Sequence, residues 1–581
     1  MSSIFEAFTR GGQTEIHNFR MSRQVITTTI LGSLILAILM FILLTFRHGW
    51  TPLYHLAVHY KAQSRVNGSF NNLPKNFIDQ SWIVVNNRWT LIPDRFIVKD
   101  FKFNRYILIV QKRILNNAYW TVATFIFSLL LFSIYWIRKG NNFQKTKFVK
   151  GYQLVTPNML RKQINKLGAS TIKIGDIPLP LNSECEHFMV SGMPGSGKTN
   201  AIHGLLRQIR TLNHKVVIID SSCGFVARFF DPRQDQILNP FDQRSCSWDL
   251  WQECRTDYDF EEFAESLIPS TKYDQFWTKA AQQLFATVAI QLRSSPKRSI
   301  KLLLDALLAA PLPQLAKSLQ GTWVSSYADP GAEQIAISIR ATLVAAVQSL
   351  KYLPTQTNPF SISKWIAHDQ QGGWLFMSSL PTQRTVLKPL ISSWLSIAVK
   401  SLMSLGENHD RRIWFVIDEL ATLNKIPILM QGLAELRRFG GCFILSFQDL
   451  QQLDDLYGQS TARSFGSLTG TKMIFRLDSY GAKQMATLFG EQKIITTNKN
   501  ISFGSSQLRD GISFTDHYLN QALIDPSDLM KLDNLEAFIK FPRNVGITKL
   551  KFDLNDCPEI NHGFVRSVQP DLQAHTTANE T

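Results

Sequence analysis

The chain has 581 residues, too many for one hydrophobic core, so a single-domain protein is excluded and two or three domains are expected. Its 62 Lys and Arg against 45 Asp and Glu give a formal net charge of +17, which favours polyanionic partners such as nucleic acid or anionic lipid. A hydrophobic content of 45% with 18% charged residues describes a globular protein with a membrane contribution.

Two apolar segments near the start of the chain are long enough to cross a membrane. Residues 25–46 carry no charge, and residues 116–138 contain a second apolar run bounded by Tyr119-Trp120 and Tyr135-Trp136, the positions that aromatic rings prefer at a membrane interface. The alternative for the first segment is a cleaved signal peptide. Its apolar run is too long for one, lacks a small-residue cleavage site and is followed by another span. We therefore predict two transmembrane helices.

The segment between the two spans, residues 47–115, is predicted to be a small separate domain. Two stretches in it suggest strands, at residues 82–85 and at residues 106–110. Its eleven Lys and Arg against three Asp would place it inside the cell by charge counting, but a loop of this length is largely exempt from that rule. Orientation therefore depends on the next motif along the chain.

An octapeptide at residues 192–199 matches the phosphate-binding pattern G-x-x-x-x-G-K-[ST] at every fixed position. It follows an apolar run at residues 187–190 and precedes a helical pattern at residues 201–211, so a chance glycine-rich turn is the weaker alternative. Backbone N–H groups of such a loop bind phosphate, while Lys198 adds positive charge and the Thr199 hydroxyl can coordinate Mg²⁺. The predicted nucleotide-binding residues are Gly192, Met193, Pro194, Gly195, Ser196, Gly197, Lys198, Thr199 and Asn200.

The nucleotide-binding loop also shows which side of the membrane each segment occupies, because ATP is found in the cytosol. Residues 1–24 and the whole chain after residue 138 are then cytoplasmic, and residues 47–115 are periplasmic. The basic residues just before the first span and just after the second agree with that orientation.

A second motif lies 220 residues after Lys198, where the apolar run at residues 413–417 ends in Asp418 and Glu419. In a Walker B strand, the first carboxylate would hold the hydration shell of Mg²⁺ and the second would orient and deprotonate the attacking water. Residues 259–350 have dense helical spacing and are predicted to be an inserted all-α domain. Short apolar runs at residues 216–220, 374–377, 413–418, 442–446 and 472–475 alternate with helical patterns and indicate a parallel α/β sheet.

Two further residues are candidates for the same site. Gln448 follows the next predicted strand and is placed to sense a γ-phosphate, the alternative being an amide that faces solvent. Arg437 lies late in a predicted helix over residues 420–439, which Gly440 would end. It is a candidate arginine finger reaching a neighbouring subunit, although basic residues in this position usually face solvent.

Several short stretches are more specific than these motifs. They are FDP at 230–232, ILNP at 237–240, WDLW at 248–251, IAISIR at 335–340, WLSIA at 394–398, GEN at 406–408 and RFGGC at 438–442. Together with the segment Gly11-Gly12-Gln13 before the first span, they resemble the type IV coupling proteins of conjugative transfer, and within that family the TraD branch of F-type systems. The resemblance runs to about Lys551.

The resemblance implies an α/β fold. A RecA-like P-loop ATPase domain (residues 139–258 and 351–560) carries the inserted all-α domain, and a two-helix transmembrane anchor with a small periplasmic domain precedes it. It also implies a homo-hexamer in the bacterial inner membrane that uses ATP and Mg²⁺ to pass DNA from a relaxase-bound complex, the relaxosome, to inner-membrane components of a type IV secretion channel. The implied roles are phosphate and Mg²⁺ binding for Lys198 and Thr199, the Walker B pair for Asp418 and Glu419, the sensor for Gln448 and the trans-acting finger for Arg437.

The chain departs from this family in one respect. F-type relatives carry a long acidic C-terminal tail that docks the relaxosome, whereas residues 561–581 are expected to be a short flexible tail. The resemblance therefore does not extend to substrate selection through such a tail. The alternative function is a docking receptor that recruits protein substrates to a secretion channel and uses ATP for assembly or gating.

Overall fold

The computed structural model describes residues 2–68, 80–143, 147–270, 275–354, 358–368, 372–448, 450–502 and 511–567. Most of the predicted tail, residues 568–581, lies outside them. The α-helices are α1 (Ser2–Phe46), α2 (Thr51–Gly68), α3 (Asp94–Lys99), α4 (Phe101–Phe143), α5 (Pro157–Leu167), α6 (Lys198–Thr211), α7 (Gly224–Phe229), α8 (Leu250–Glu253), α9 (Asp257–Leu267), α10 (Gln275–Arg293), α11 (Ile300–Leu304), α12 (Leu312–Ser318), α13 (Glu333–Val347), α14 (Ile362–Ala367), α15 (Arg384–Met403), α16 (Pro427–Glu435), α17 (Leu450–Tyr457), α18 (Gln459–Leu468), α19 (Ser479–Phe489) and α20 (Pro526–Met530).

The strands are β1 (Gln80–Val85), β2 (Arg88–Pro93), β3 (Lys147–Gly151), β4 (Ala169–Ile174), β5 (Ile177–Pro180), β6 (Phe188–Ser191), β7 (Lys215–Asp220), β8 (Gln236–Leu238), β9 (Trp374–Ser378), β10 (Ile413–Ile417), β11 (Gly441–Phe447), β12 (Thr471–Ile474), β13 (Glu491–Ser502), β14 (Gly511–Ala522), β15 (Glu536–Lys540) and β16 (Thr548–Lys551). Short 3₁₀ turns include Glu184–Glu186, Gln348–Tyr352, Leu420–Thr422 and Leu436–Phe439. The chain forms two compact units, one of Met1–Lys147 with Thr496–His517 and the other of Phe148–Ile495 with Tyr518–Thr581.

In the first unit, α1 and α4 pack along each other and expose long apolar surfaces. The most apolar 18-residue windows within Asn18–Phe46 and Phe101–Gly140 have mean hydropathies of 2.6 and 1.8, and only 11% and 6% of these windows are buried. Both predicted spans lie inside these helices. A third helix of suitable length, Arg384–Met403, has 56% of its most apolar window buried and packs in the core of the second unit.

Between α1 and α4, the first unit contains α2, a β1–β2 hairpin and α3 around a small core of Val58, Ala62, Ile83 and Ile97. The predicted strand at residues 82–85 is confirmed as part of β1. The predicted strand at residues 106–110 is wrong, because these residues belong to α4. Ile107 and Val110 are both buried and lie three positions apart, so this apolar run forms one face of a helix.

The second unit is built on a nine-stranded sheet with the order β16-β15-β12-β6-β11-β10-β7-β9-β8. The seven strands from β12 to β8 run parallel, as predicted, and every residue of the central strands β10 and β11 is buried. β15 and β16 add an antiparallel edge beside β12. β4 and β5 form a separate antiparallel pair in this unit.

The described residues from α9 to the turn Gln348–Tyr352 form helices and turns and contain no strand. The dense helical spacing predicted here corresponds to helices that bury most of their apolar residues, with Leu284, Phe285 and Leu343 almost fully enclosed. Phe276 in α10 and Ile335 in α13 are exposed. The division of the chain at residues 259 and 350 stays a prediction.

The single helix predicted over residues 420–439 is wrong. Two 3₁₀ turns, Leu420–Thr422 and Leu436–Phe439, flank the shorter helix α16. Pro427 begins α16, and Ile426 before it has an extended backbone, as a residue before proline prefers, which interrupts the helix at this point. Gly440 ends the last turn in the left-handed conformation, with φ of 80°, as the sequence predicts.

Candidate functional site

The candidate site lies at the carboxyl edge of the parallel strands. β6 leads into the phosphate-binding loop, β10 into Asp418 and Glu419, and β11 into Gln448. Because β11 lies between β6 and β10, the Gln448 strand separates the loop strand from the acidic strand. Parallel strands place their carboxyl ends at one edge, so the sheet brings these sequence-distant motifs together.

The loop after β6 is held from two sides. The Met193 N–H donates to the Arg476 carbonyl over 2.8 Å, and the Leu535 N–H donates to the Ser196 carbonyl over 2.8 Å. A Cβ at Gly192 would lie 2.6 Å from the Cβ of Phe475, so only glycine fits there. Gly197 has φ of 114°, a conformation that favours glycine at the start of α6.

Lys198 is buried and folds back onto its own loop. Its Nζ donates to the Gly192 carbonyl over 2.5 Å and to the Met193 carbonyl over 3.1 Å. Burial lowers the pKa of Lys198, while Glu419 and Asp418 act in the opposite direction. Thr199 is exposed at the first turn of α6. The ammonium and the hydroxyl therefore flank the same helix N-terminus, where an anion is favoured.

The two carboxylates after β10 are held largely out of water. Burial and the neighbouring Asp220 raise the pKa of Asp418 to about 6, against the opposing charges of Lys198 and Arg384. Burial raises the pKa of Glu419 to about 7. The Gln448 N–H donates to Glu419 Oε1 over 3.4 Å, whereas Glu419 Oε2 is buried without a hydrogen-bond partner among the described residues.

That free oxygen is consistent with a water or cation that completes the site. Among the described residues, no group of three or more His, Cys, Asp and Glu side chains is arranged to hold a metal by itself. Mg²⁺ commonly keeps several waters and takes one or two protein ligands together with substrate phosphates. Thr199 and Asp418 fit such a limited protein contribution.

The sheet also brings in two residues that the sequence analysis missed. Asp220 ends β7, is fully buried, and accepts hydrogen bonds from the N–H groups of Ser222, Gly224, Phe225 and Val226. Arg384 begins α15, donates to the Ser221 carbonyl over 2.9 Å and lowers the pKa of Asp418. A strand ending in Asp was a usable signal for Asp220. Arg384 has no local sequence signature.

Asn200 and Gln448 contact other groups than expected. The Asn200 side chain donates to the Asp553 carbonyl over 2.9 Å and accepts from the Asn555 N–H over 2.7 Å. Its amide therefore holds the segment that follows β16. The Gln448 side chain is exposed, and the bond to Glu419 comes from its backbone.

Arg437 lies away from this cluster, in the turn that precedes β11. The amino end of β11 is the opposite edge of the sheet from the P-loop. The Arg437 side chain is 61% exposed and its guanidinium lies 3.4 Å from Glu186 Oε1. Within one chain, Arg437 is therefore not brought to the P-loop.

A parallel sheet with a P-loop after one strand, an acidic pair after another and an intervening strand between them defines a P-loop nucleotide-binding protein with a RecA-like sheet. Residues 171–553 match the family model described as the type IV secretion-system coupling protein DNA-binding domain. The chain belongs to the type IV secretion-system coupling protein family.

Individual relatives agree with this assignment. Coupling protein TraD of Escherichia coli (strain K12) is 36% identical over 470 residues, which cover 79% of this chain and 66% of TraD. The type IV secretion system-coupling protein VirD4 of Bartonella quintana (strain Toulouse) is 26% identical over 134 residues, covering 23% of this chain and 21% of VirD4. This chain thus spans less than two thirds of the length of these relatives.

Solved structures of the coupling protein TrwB are similar to this fold. The unbound TrwBΔN70 structure has a TM-score of 0.65 at 26% identity and covers 73% of this chain and 97% of that one. TrwB in complex with ADP and Mg²⁺ has the same TM-score and identity and is covered to 98%. TrwB has also been solved with the ATP analogue ADPNP and with the GTP analogue GDPNP.

Proposed function

We propose that this chain is a conjugative coupling protein, an inner-membrane ATPase that drives DNA toward a type IV secretion channel. The proposal rests on one observation: the P-loop and the pair Asp418 and Glu419 lie at the same edge of the parallel sheet. The family to which the chain belongs is described by a DNA-binding domain. Family membership and the similarity to TraD favour this function over a receptor that only docks protein substrates.

The two exposed apolar helices would anchor the protein. In this proposal residues 25–46 and 116–138 cross the inner membrane, residues 47–115 face the periplasm, and both termini are cytoplasmic. The nucleotide-binding domain then comprises residues 139–258 and 351–560, with the all-α domain at residues 259–350. The exposure of α1 and α4 supports an anchor, since apolar surfaces of this size are normally covered.

For hydrolysis, Glu419 takes a proton from water as the water oxygen attacks the γ-phosphorus, and the bond from that phosphorus to the β–γ bridging oxygen breaks to release ADP and phosphate. Burial supports this role, because a carboxyl with a pKa near 7 can accept and return a proton at neutral pH. Lys198 leaves the loop carbonyls to neutralise the phosphates. Bound Mg²⁺, held through Thr199 and Asp418, would supply charge neutralisation on the phosphate oxygens.

Two residues complete the proposed site. Gln448, whose backbone N–H binds Glu419 and whose side chain is exposed, would report on the γ-phosphate. Arg437 would act on the site of a neighbouring subunit in a homo-hexameric ring, since it lies at the opposite sheet edge from its own P-loop. A charge delivered across an interface makes hydrolysis depend on assembly.

DNA contacts in such a ring are expected to be mainly with phosphates, and the net charge of +17 agrees with this. The DNA, single- or double-stranded, would be bound without sequence preference and received from a relaxase. Channel components at the inner membrane would be the remaining partners.

The test is ATP hydrolysis by the full chain in detergent, with and without DNA. DNA should stimulate hydrolysis at least severalfold at low salt, and the stimulation should fall steeply as salt rises. Lys198→Ala provides the inactive control. Absence of stimulation by any DNA, with basal hydrolysis intact, would contradict the motor and support the docking receptor.

A further inference from the structure

The turn at the amino end of β6 is joined to the turn that carries Arg437. β6 has the P-loop at its carboxyl end and the 3₁₀ turn Glu184–Glu186 with His187 at its amino end. Glu186 Oε1 lies 3.4 Å from the Arg437 guanidinium. The Glu186 side chain is 18% exposed, whereas that of Arg437 is 61% exposed. The largely buried carboxylate of Glu186 therefore pairs with the exposed guanidinium of Arg437.

His187 fixes the backbone on both sides of Arg437. Its Nε2–H donates to the Leu433 carbonyl over 2.9 Å, and the Phe443 N–H donates to its Nδ1 over 3.2 Å. Accepting at Nδ1 while donating from Nε2 needs the neutral ring, and burial lowers the pKa of His187 to about 4. The imidazole thus spans the chain from α16 to β11, with the Arg437 turn between its two contacts.

Further contacts restrain Glu186 itself. The Gly470 N–H donates to the Glu186 carbonyl over 2.6 Å, and the Glu186 N–H donates to the Ser183 carbonyl over 3.0 Å. The neighbouring Cys185 lies with its Sγ 3.3 Å from the Sγ of Cys442 in β11. The Glu186 carboxylate is therefore presented from a turn whose backbone is bonded to Gly470, just before β12, and whose Cys185 side chain contacts β11.

We propose that Glu186 is a positioning residue for Arg437, aiming this arginine at the nucleotide site of the adjacent copy of the chain. The inference rests on the proposed role of Arg437 as a trans-acting finger. An exposed arginine has many rotamers, and a finger must enter a neighbour's site in one of them. An ion pair to a restrained carboxylate reduces that freedom before the subunits meet.

The first test measures DNA-stimulated ATP hydrolysis by full-length variants in detergent. Glu186→Gln should lower kcat about tenfold with KM changed less than about twofold, because ATP binding to its own loop is untouched. Glu186→Asp, which keeps the charge, should recover part of the loss. Asp176→Asn, which breaks the exposed 3.5 Å ion pair with Arg161, is the matched control and should keep the original kcat.

The second test separates positioning from a structural effect on β6. A Glu186→Gln chain has an intact P-loop, whereas a Lys198→Ala chain has an inactive P-loop and an intact Glu186–Arg437 pair. Mixed rings place a correctly held arginine beside a working P-loop, so mixing should raise turnover above that of the two variants measured alone. No gain on mixing, or a wild-type kcat for Glu186→Gln, would overturn the positioning role.

Arg437→Ala distinguishes this failure from failure of the proposed function. If Arg437→Ala loses turnover while Glu186→Gln has a normal rate, Arg437 still acts as the arginine finger and only the positioning role of Glu186 is disproved. Full turnover in Arg437→Ala would instead disprove the proposed role of Arg437 as an arginine finger.

Discussion

Asn555 and Asn200, which lie 355 positions apart, are joined by two hydrogen bonds. The Asn555 N–H donates to Asn200 Oδ1 over 2.7 Å, and its Nδ2 donates to the Asn200 carbonyl over 2.8 Å. Asn200 is two residues beyond Lys198 on α6. The segment after β16 is thereby attached to the helix that begins at the P-loop.

Asn200→Ala should loosen this attachment. The change removes the side-chain partner of the Asp553 carbonyl and of the Asn555 N–H, and since the first bond is exposed and the second half-buried, each loss costs about 1 kcal/mol. Limited proteolysis should then cleave within residues 553–567 faster than in the parent chain. Asn555→Ala, which keeps its backbone N–H bond to Asn200, should have a smaller effect. Equal cleavage rates in the parent and Asn200→Ala would contradict the attachment.

Lys198→Ala and Asp418→Ala should each lower the ATP turnover rate by more than about 100-fold, because a phosphate charge and a metal ligand are removed from a water-poor site. Turnover is measured with saturating DNA. Lys166→Ala, at an exposed position on α5, serves as the control for the loss of one lysine and should retain full turnover. Near-normal hydrolysis in either site variant would disprove the assignment.

Glu419→Gln should retain ATP binding and lose hydrolysis. It should also stabilise the nucleotide-free protein at pH 8. Because burial raises the pKa of Glu419 to about 7, the folded state holds this proton more tightly than the unfolded state, and stability falls as pH rises through that pKa. Gln removes that penalty, worth about 1–3 kcal/mol. A lower thermal unfolding temperature at pH 8 would indicate a structural role instead.

The pH dependence of kcat/KM should reflect the ionisation of Glu419 and Asp418. The rate should rise with pH and level off above an apparent pKa of about 7, since Glu419 must be ionised to accept a proton from water. Asp418, with a pKa of about 6, titrates in the same range, so the profile reports the pair. A flat profile between pH 5.5 and pH 8 would exclude Glu419 as the base.

Arg437→Ala should be inactive alone and regain turnover when mixed with Lys198→Ala chains. Each variant supplies what the other lacks only if the arginine acts on a neighbouring site. Arg438→Ala, in the same exposed turn, is the control and should need no complementation. A mixture as inactive as its components would exclude action in trans.

Local sequence was sufficient for features that neighbouring residues determine. The octapeptide at residues 192–199, the strand ending in Asp418 and the C-cap at Gly440 depend on backbone conformations that a few residues dictate. The apolar run at residues 106–110 was misassigned because β-branched residues suit both a strand and one face of a helix. In α4, burial of Ile107 and Val110 on one side decides between them.

The sequence by itself determined the chemistry of this protein, namely a phosphate-binding loop, an acidic pair and two apolar helices. Only the tertiary structure decided which side chains share a site. The parallel sheet places Asp220 and Arg384 beside Asp418, and it holds Arg437 at the opposite edge against Glu186. Such contacts join residues far apart in the chain, and the strand order that creates them has no local sequence signature.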